Sequence, residues 1–516
     1  MKRMKWLLAM LCCLPILLCE STSLADDTFN LNKDGFSTTY TYGYDYWGDV
    51  QVSPDAYRVS DVIDSTDLGL ELLGNVRMNK PQALYVRDND LYVCDTGNNR
   101  ILQIRFDDQQ YQLVRVIDHV EGCDNTTIKS PYDVYVDEDG NIYVADYGNY
   151  RVVKMDRNLQ YIMEFTKPTD ATFDQNLDFL PKKIVIDAAG RLYALVQNVN
   201  KGMVKYENDG TFTGFIGANT VTVSTADYIW KRYFQTQEQR AKSESFVPTE
   251  YENIYMDEQG FIYATNTVFD EYDLRWDNAK PVRRLNGVGS DILIKNDRYP
   301  PIGDLYWEES SSSQLYGPSR FTDVTVLEND IYVLIDRIRG RLFGYDSQGI
   351  MLWAFGTKGN TDGAFNGAVS VEHMGHDLFV LDQLKGNITV FKTTEYGRMI
   401  YEAIDSYLQG DYDKSADDWR EVLKLNANYP LAFRGIGRAL LRQDKFQEAM
   451  EYFKMAHDRD NFGRAFKLYR KVWVEKNVWW IVIVLAAVLI VPLVIGRVNK
   501  MKWEVYVHEQ SKARKG

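Results

Sequence analysis

The hydrophobic pattern changes period along this chain. From about residue 80 to residue 394, apolar residues alternate with polar ones in short runs of four to seven, the period of half-buried strands. After Thr394 the apolar positions recur at helical spacing, and residues 478–496 contain no charged side chain. In the first region one phrase recurs. Val134-Tyr135-Val136-Asp137-Glu138-Asp139-Gly140-Asn141-Ile142-Tyr143-Val144-Ala145-Asp146 predicts a strand, a tight turn and a second strand. The phrase returns around Leu84–Asp95, Ile184–Ala194, Ile254–Ala264, Ile331–Asp336 and Asp377–Asp382. Its first turn has an Asp followed three residues later by Gly: Asp137 and Gly140, Asp187 and Gly190, Asp257 and Gly260. The Asp side chain caps backbone N–H groups, and Gly takes the positive φ.

Pro81, Pro131 and Pro181 open three successive copies, a spacing of about 50 residues that suits a four-stranded unit. The second copy divides into strands at 132–136, 142–145, 151–155 and 161–165, rich in β-branched and aromatic residues. A single four-stranded sheet cannot bury both faces, so several must pack radially around a channel. Six copies start near residues 80, 130, 180, 250, 320 and 368. The last runs out after its third strand, 387–392, and a strand-like segment at 57–63 precedes the first copy. That segment is expected to supply the missing strand and close the ring, removing an exposed edge. The expected fold class is an all-β six-bladed propeller over residues 40–395, a short all-α module over 398–474 and one transmembrane helix.

Asp95-Thr96-Gly97-Asn98-Asn99-Arg100-Ile101 and Asp146-Tyr147-Gly148-Asn149-Tyr150-Arg151-Val152 resemble the NHL-repeat signature, with a weaker echo at Asp336, Gly340, Arg341 and Leu342. The resemblance spans roughly residues 55–395 and implies the propeller fold. Such propellers serve as ligand-binding platforms, protein-binding modules and occasionally enzymes. In the helical region, Leu431–Leu440 and Phe446–Ala456 resemble a tetratricopeptide (TPR) repeat. Gly437 falls at the small position where two helices cross, and Ala449, Phe453 and Ala456 fit the second helix. An earlier copy contains Ala416 and Trp419, with Pro430 as its breaker. The resemblance implies either a stalk or a small peptide-docking groove.

The ends define a topology. Lys2, Arg3 and Lys5 precede an apolar run and Ser23-Leu24-Ala25, which reads as a signal peptide over residues 1–25. The uncharged segment 478–496 is long enough to span a bilayer, opens with Trp479 and Trp480, and is followed by Arg497, Lys500 and Lys502. The expected localisation is a single-pass cell-membrane protein, its large part extracytoplasmic and its basic tail, 497–516, cytoplasmic. The formal charge of −14 argues against nucleic acid as a partner. Of five cysteines, Cys12, Cys13 and Cys19 lie in the predicted signal. Cys94 and Cys123 fall on one face of the disc, so a disulfide is one outcome and two free thiols the other.

The five histidines, His119, His373, His376, His457 and His508, do not converge, and no catalytic motif stands out; no catalytic residue is assigned. Asp95, Asp146, Asp336 and Asp382 recur at the ends of second strands. A ring of carboxylates can bind calcium; a repeated Asp at a strand end is more simply a turn cap. No other cofactor is expected. Long connections at 218–247, 266–281 and 295–318 emerge on one face and carry the candidate ligand-binding aromatics Tyr228, Trp230, Tyr233, Phe234, Trp276, Tyr299, Trp307 and Tyr316, with Tyr272 beside them. Aromatic faces next to Asp, Asn and Arg suit sugar rings, and they also suit protein interfaces. Tyr40–Trp47 is similarly aromatic and is expected to line a groove or cover the rim. The expected role is non-catalytic: a propeller platform holding an extracellular small molecule or carbohydrate, or a protein partner, near a membrane transport complex. A metal-dependent lactonase-like hydrolase or lyase is the first alternative, and a protein scaffold the second.

Overall fold

The computed structural model describes residues 39–71, 76–107, 110–218, 251–275, 279–295, 300–307 and 315–514. Contacts divide the chain into two units, residues 1–401 and 402–516.

The first unit is a six-bladed propeller. Blades one to three are four-stranded antiparallel meanders beginning at Ala83–Arg87, Pro131–Val136 and Pro181–Ile186. The sixth takes three strands from Ala368–Met374, Asp377–Asp382 and Asn387–Thr393 and its fourth from Tyr57–Ile63, in the register Ile388 with Ile63 through Thr393 with Tyr57. The expected closing strand is therefore present. First strands of neighbouring blades touch in turn, that of blade six meeting that of blade one. The turns form as their sequence requires: Asp137 Oδ1 accepts from the N–H groups of Asp139 and Asn141, and Gly140 has φ +81°. Between blades, facing sheets bury apolar side chains. Ile101, Val134, Ile142 and Val153 fill the space between blades one and two, and Phe165, Phe179, Ile184 and Tyr206 that between two and three.

Blades four and five depart from the repeat. Blade four has three described strands, Asn253–Met256, Ile262–Thr265 and Val282–Leu285, with a short helix α1, Glu271–Arg275, between the last two. Blade five has six strands, because Thr41–Tyr44 and Val50–Ser53 add a hairpin outside Met351–Phe355. The aromatic N-terminal segment thus covers the rim. Tyr42 is buried in the core of blades four and five, while Trp47 is exposed at the hairpin turn.

One buried carboxylate ties this region together. Asp304, fully buried, accepts from Tyr42 Oη at 2.6 Å and Tyr44 Oη at 2.9 Å on the hairpin. Its other oxygen accepts from Arg341 Nη1 at 2.6 Å and lies 3.2 Å from Arg339 Nε. Burial alone would push its carboxyl up, but Arg341 and Arg339 outweigh this and hold it below the usual carboxylate range.

Helix α2, Glu395–Leu408, leaves the propeller, and Tyr401 on it is anchored by Trp353 Nε1 at 3.1 Å and by the Tyr57 hydroxyl at 2.6 Å. In the second unit, α3 (Tyr412–Leu425), α4 (Pro430–Arg442), α5 (Phe446–Met455) and α6 (Arg459–Ala513) follow one another through short turns. A side chain at Gly437 would come 2.7 Å from Phe453, so the expected close helix crossing is real. Helix α6 has 55 residues, contains Pro492, and includes a window of mean hydropathy 3.0 that is not buried, so it is long and apolar enough to cross a membrane. The predicted signal peptide lies outside the described residues.

Asp304→Asn removes the counter-charge of two buried guanidiniums while keeping the shape. It is expected to cost about 3–5 kcal/mol, read as a lowered thermal midpoint. Tyr44→Phe, which loses the bond to Asp304 and the one from the Leu305 N–H, is expected to cost about 2 kcal/mol.

Candidate functional site

A cavity of about 550 Å³ opens where the repeat is most irregular, between blades four and five. Three pieces of chain build it. Thr267, Phe269 and Tyr272 come from the connection after Ile262–Thr265; Tyr316, Gly317 and Pro318 lead into blade five; Arg320, Arg337 and Ile338 come from blade five itself. Each piece is fixed locally. Asp270 Oδ1 accepts from the Asp273 N–H at 2.7 Å and caps α1, which carries Tyr272. Arg339 donates to the Gly317 carbonyl at 2.7 Å, and Gly317 has φ +78°. The Arg320 guanidinium donates to the Thr267 carbonyl at 2.9 Å and lies over the Phe269 ring, 4.0 Å from its centre.

The cavity is amphipathic. Tyr272 and Tyr316 present exposed rings, and Phe269 forms apolar wall. Arg320 and Arg337 stand close enough that burial first, and the charge of Arg337 second, lower the Arg320 pKa. Asp270 and Glu271 contribute opposing charge at the same mouth. Flat hydrophobic faces beside fixed donors and acceptors can hold a polar ring-shaped molecule.

A second polar feature lies at the hub. The first strands carry, at one equivalent position, Ala83, Asp133, Lys183, Asn253, Asp323 and Ser370. A β-bulge precedes this position in blades two, three, five and six. Asp133 accepts from the Ile184 N–H of the next blade at 2.9 Å, Asp323 from Val371 N–H at 2.9 Å, and Ser370 Oγ from Leu84 N–H at 3.2 Å. Lys183 Nζ donates to Asp133 at 3.2 Å. Two residues further along blade six, Glu372 accepts from Thr325 Oγ1 at 3.3 Å. Burial, opposed by Lys183, raises the carboxyls of Asp133 and Asp323. Burial and the charge of Asp323 raise Glu372 well above its ordinary value.

Of the aromatics singled out from sequence, Tyr316 and its neighbour Tyr272 line the cavity. Trp307 is described but is not part of its wall. Tyr228, Trp230, Tyr233, Phe234, Trp276 and Tyr299 lie outside the described residues. Asp95, Asp146, Asp336 and Asp382 act as caps within their own blades. Asp95 takes the Asn79 N–H and Arg100; Asp146 the Lys129 N–H and Arg151; Asp336 the Arg320 N–H and Arg339; Asp382 the Asn366 and Leu384 N–H groups. Among the described residues, no three His, Cys, Asp or Glu side chains come together as a metal site. Of the two outcomes left open for the cysteines, the structure has Cys94 and Cys123 as free thiols. Cys94 is buried between blades one and two, and Cys123 packs against the same cluster with its Sγ 3.1 Å from the Asn125 carbonyl oxygen.

The model of the NHL repeat matches residues 129–155, the first three strands of blade two. No curated protein is similar to the chain in sequence. Among solved structures the chain is similar to virginiamycin B lyase from Staphylococcus aureus, at 11% identity over 66% of this chain and 100% of that one, with a TM-score of 0.36. It is also similar to a protein of unknown function from Bacteroides thetaiotaomicron, at 10% identity over 67% of this chain and 80% of that one, TM-score 0.37. A protein provisionally described as a gluconolactonase matches at 10% identity over 61% of this chain and 88% of that one, TM-score 0.36. Likeness of this degree carries no functional argument. The chain is a six-bladed β-propeller protein. One of its blades carries an NHL repeat.

Glu372 supplies a pH test of the hub. Its folded pKa lies above its unfolded value of 4.5, so the folded state holds a proton the unfolded chain has lost. That stabilisation is full below the unfolded pKa and is lost as pH rises through the folded one. Asp133 and Asp323 act in the same direction. Glu372→Gln keeps an acceptor for Thr325 and removes the charge. Its thermal midpoint is expected to exceed that of the wild type by several degrees near pH 7.5, and the difference to shrink toward about pH 5.

Proposed function

We propose that this protein is a membrane-anchored, extracytoplasmic binding protein that captures a small polar ligand, with carbohydrate the favoured class, at the cavity between blades four and five. The observation that carries the reading is the pairing of exposed Tyr272 and Tyr316 rings with Arg320 in one cavity of ligand size. Aromatic faces stack on the C–H faces of sugar rings, and the guanidinium and nearby carboxylates satisfy hydroxyl groups. The apolar part of α6 supports a single span, with Arg497, Lys500 and Lys502 favouring a cytoplasmic tail. On this reading the propeller holds its ligand beside a membrane transport complex. The chain itself needs no chemistry beyond binding.

The test is binding of a panel of oligosaccharides to the full chain in detergent micelles, followed by calorimetry and thermal shift. A matching sugar is expected to raise the thermal midpoint, and Tyr316→Ala or Tyr272→Ala to weaken binding about tenfold, the loss of one stacking contact of ~1.4 kcal/mol. Turnover of a lactone or glycan by the wild type, rather than retention, would replace this reading with an enzymatic one.

A further inference from the structure

Two guanidiniums line the cavity between blades four and five. Arg320 immediately precedes the first strand of blade five and Arg337 immediately follows the second. The two therefore stand opposite each other at the open end of one hairpin, where the Arg337 N–H donates to the Arg320 carbonyl at 3.1 Å. Arg320 is half-buried and forms no ion pair among the described residues. Its guanidinium donates to the Thr267 carbonyl and lies over the Phe269 ring, contacts that fix its position and leave its charge unmatched. Arg337 is exposed and has one loose partner, Glu252, whose Oε1 lies 3.7 Å from Nη1.

The carboxylates in reach have other duties. Asp336 Oδ1 accepts from the N–H groups of Arg320 and Ile338, and Oδ2 lies 3.3 Å from Arg339 Nη1. Asp270 Oδ1 takes the Asp273 N–H at the start of α1. Glu271 acts on Arg320 less strongly than Arg337 does. With all three acids counted, burial first and Arg337 second still disfavour the Arg320 cation. An added anion relieves that imbalance, and a planar carboxylate matches the fork of a guanidinium. The rest of the wall decides what carries the anion. Tyr272 and Tyr316 expose ring faces, and a cavity of about 550 Å³ is of the size that holds a small ring-bearing molecule.

Resting on the reading of this cavity as a saccharide site, we propose that its ligand is an acidic sugar, a uronic acid or a short oligosaccharide that contains one. The carboxylate is held by Arg320 and Arg337, and the ring stacks on Tyr272 or Tyr316. A neutral sugar of the same shape keeps the stacking and leaves the guanidiniums unmatched, so it binds more weakly.

The probes are disaccharides of galacturonic, glucuronic and mannuronic acid, each paired with its methyl ester, which keeps the ring and removes the charge. Binding is measured by calorimetry on the full chain in a polyoxyethylene detergent, which has no sugar headgroup to compete. At least one acid is expected to bind about tenfold more tightly than its ester, the effect of one charge-assisted hydrogen bond. That preference is expected to shrink between about 50 and 200 mM salt while ester binding stays unchanged. Arg320→Gln is expected to bring acid and ester to equal affinity. Arg337→Gln alters an exposed residue, so it reports even if the Arg320 variant fails to fold; a several-fold loss for the acid and none for the ester is expected. Equal binding of acid and ester by the wild type would overturn this proposal and leave the saccharide reading standing. Binding of neither acidic nor neutral sugars would overturn both. A preference for the acid that survives Arg320→Gln and Arg337→Gln would overturn the assignment to these arginines.

Discussion

The propeller depends on how its hub disposes of buried polar groups. Six first strands converge there, and each brings one side chain at an equivalent position into space with little water. An unpaired polar group in such a place is costly. The chain meets the cost in part by making three of these side chains serve the next blade. Asp133 takes the Ile184 N–H, Asp323 takes the Val371 N–H, and Ser370 takes the Leu84 N–H. The last of these crosses the seam between blade six and blade one, where strand Tyr57–Ile63 also closes the outer edge. Hub and rim thus fasten the ring at both radii. The balance is imperfect, since Lys183 alone faces Asp133, Asp323 and Glu372, and burial, which that one cation does not offset, holds their carboxyls above their ordinary pKa. A wholly apolar hub would avoid that penalty, but it would not specify which blade follows which.

Irregularity is concentrated in blades four and five, and the cavity lies there. A regular blade offers only short turns on its face. Blade four instead inserts α1 between its second and third described strands, and blade five gains a hairpin from far away in sequence. Such insertions need an anchor. Asp304 supplies it through two tyrosines of the hairpin and two arginines of blade five. Arg339 has a second role, since it also holds the Gly317 carbonyl at the edge of the cavity. The same buried charge network therefore stabilises the irregular blade and fixes one wall of the site. A cavity built largely from connections is thereby tied to the buried network at one wall.

Much of this was legible in the sequence because the repeat is written in local chemistry. Alternating Val, Ile and Tyr, the Asp and Gly of each first turn, and the opening prolines each act within a few residues. They located the blades and the closing strand. The aspartates at strand ends were legible in kind, as caps, for the same reason. What remained hidden depends on contacts between distant segments. Arg320 and Phe269 meet across fifty-one positions, and neither stands out alone. The hub was hidden differently. Asp133, Lys183, Asn253 and Asp323 occupy a position that the alternation rule treats as one more strand residue. Only aligning the copies, with Ala83 and Ser370 in the same column, reveals a polar ring. The thiols show the limit of placement alone: sequence put Cys94 and Cys123 on one face, and a shared face leaves bonded and free thiols equally open.

The distribution of charge matters more here than its sum. A net charge of −14 disfavours contact with polyanions. It says nothing about what a given patch attracts, because screening limits a surface charge to about 10 Å at ordinary salt. Over that distance the cavity presents arginine and carboxylate together, so the local pairing of those groups, not the sum over the chain, sets what charge it has to offer.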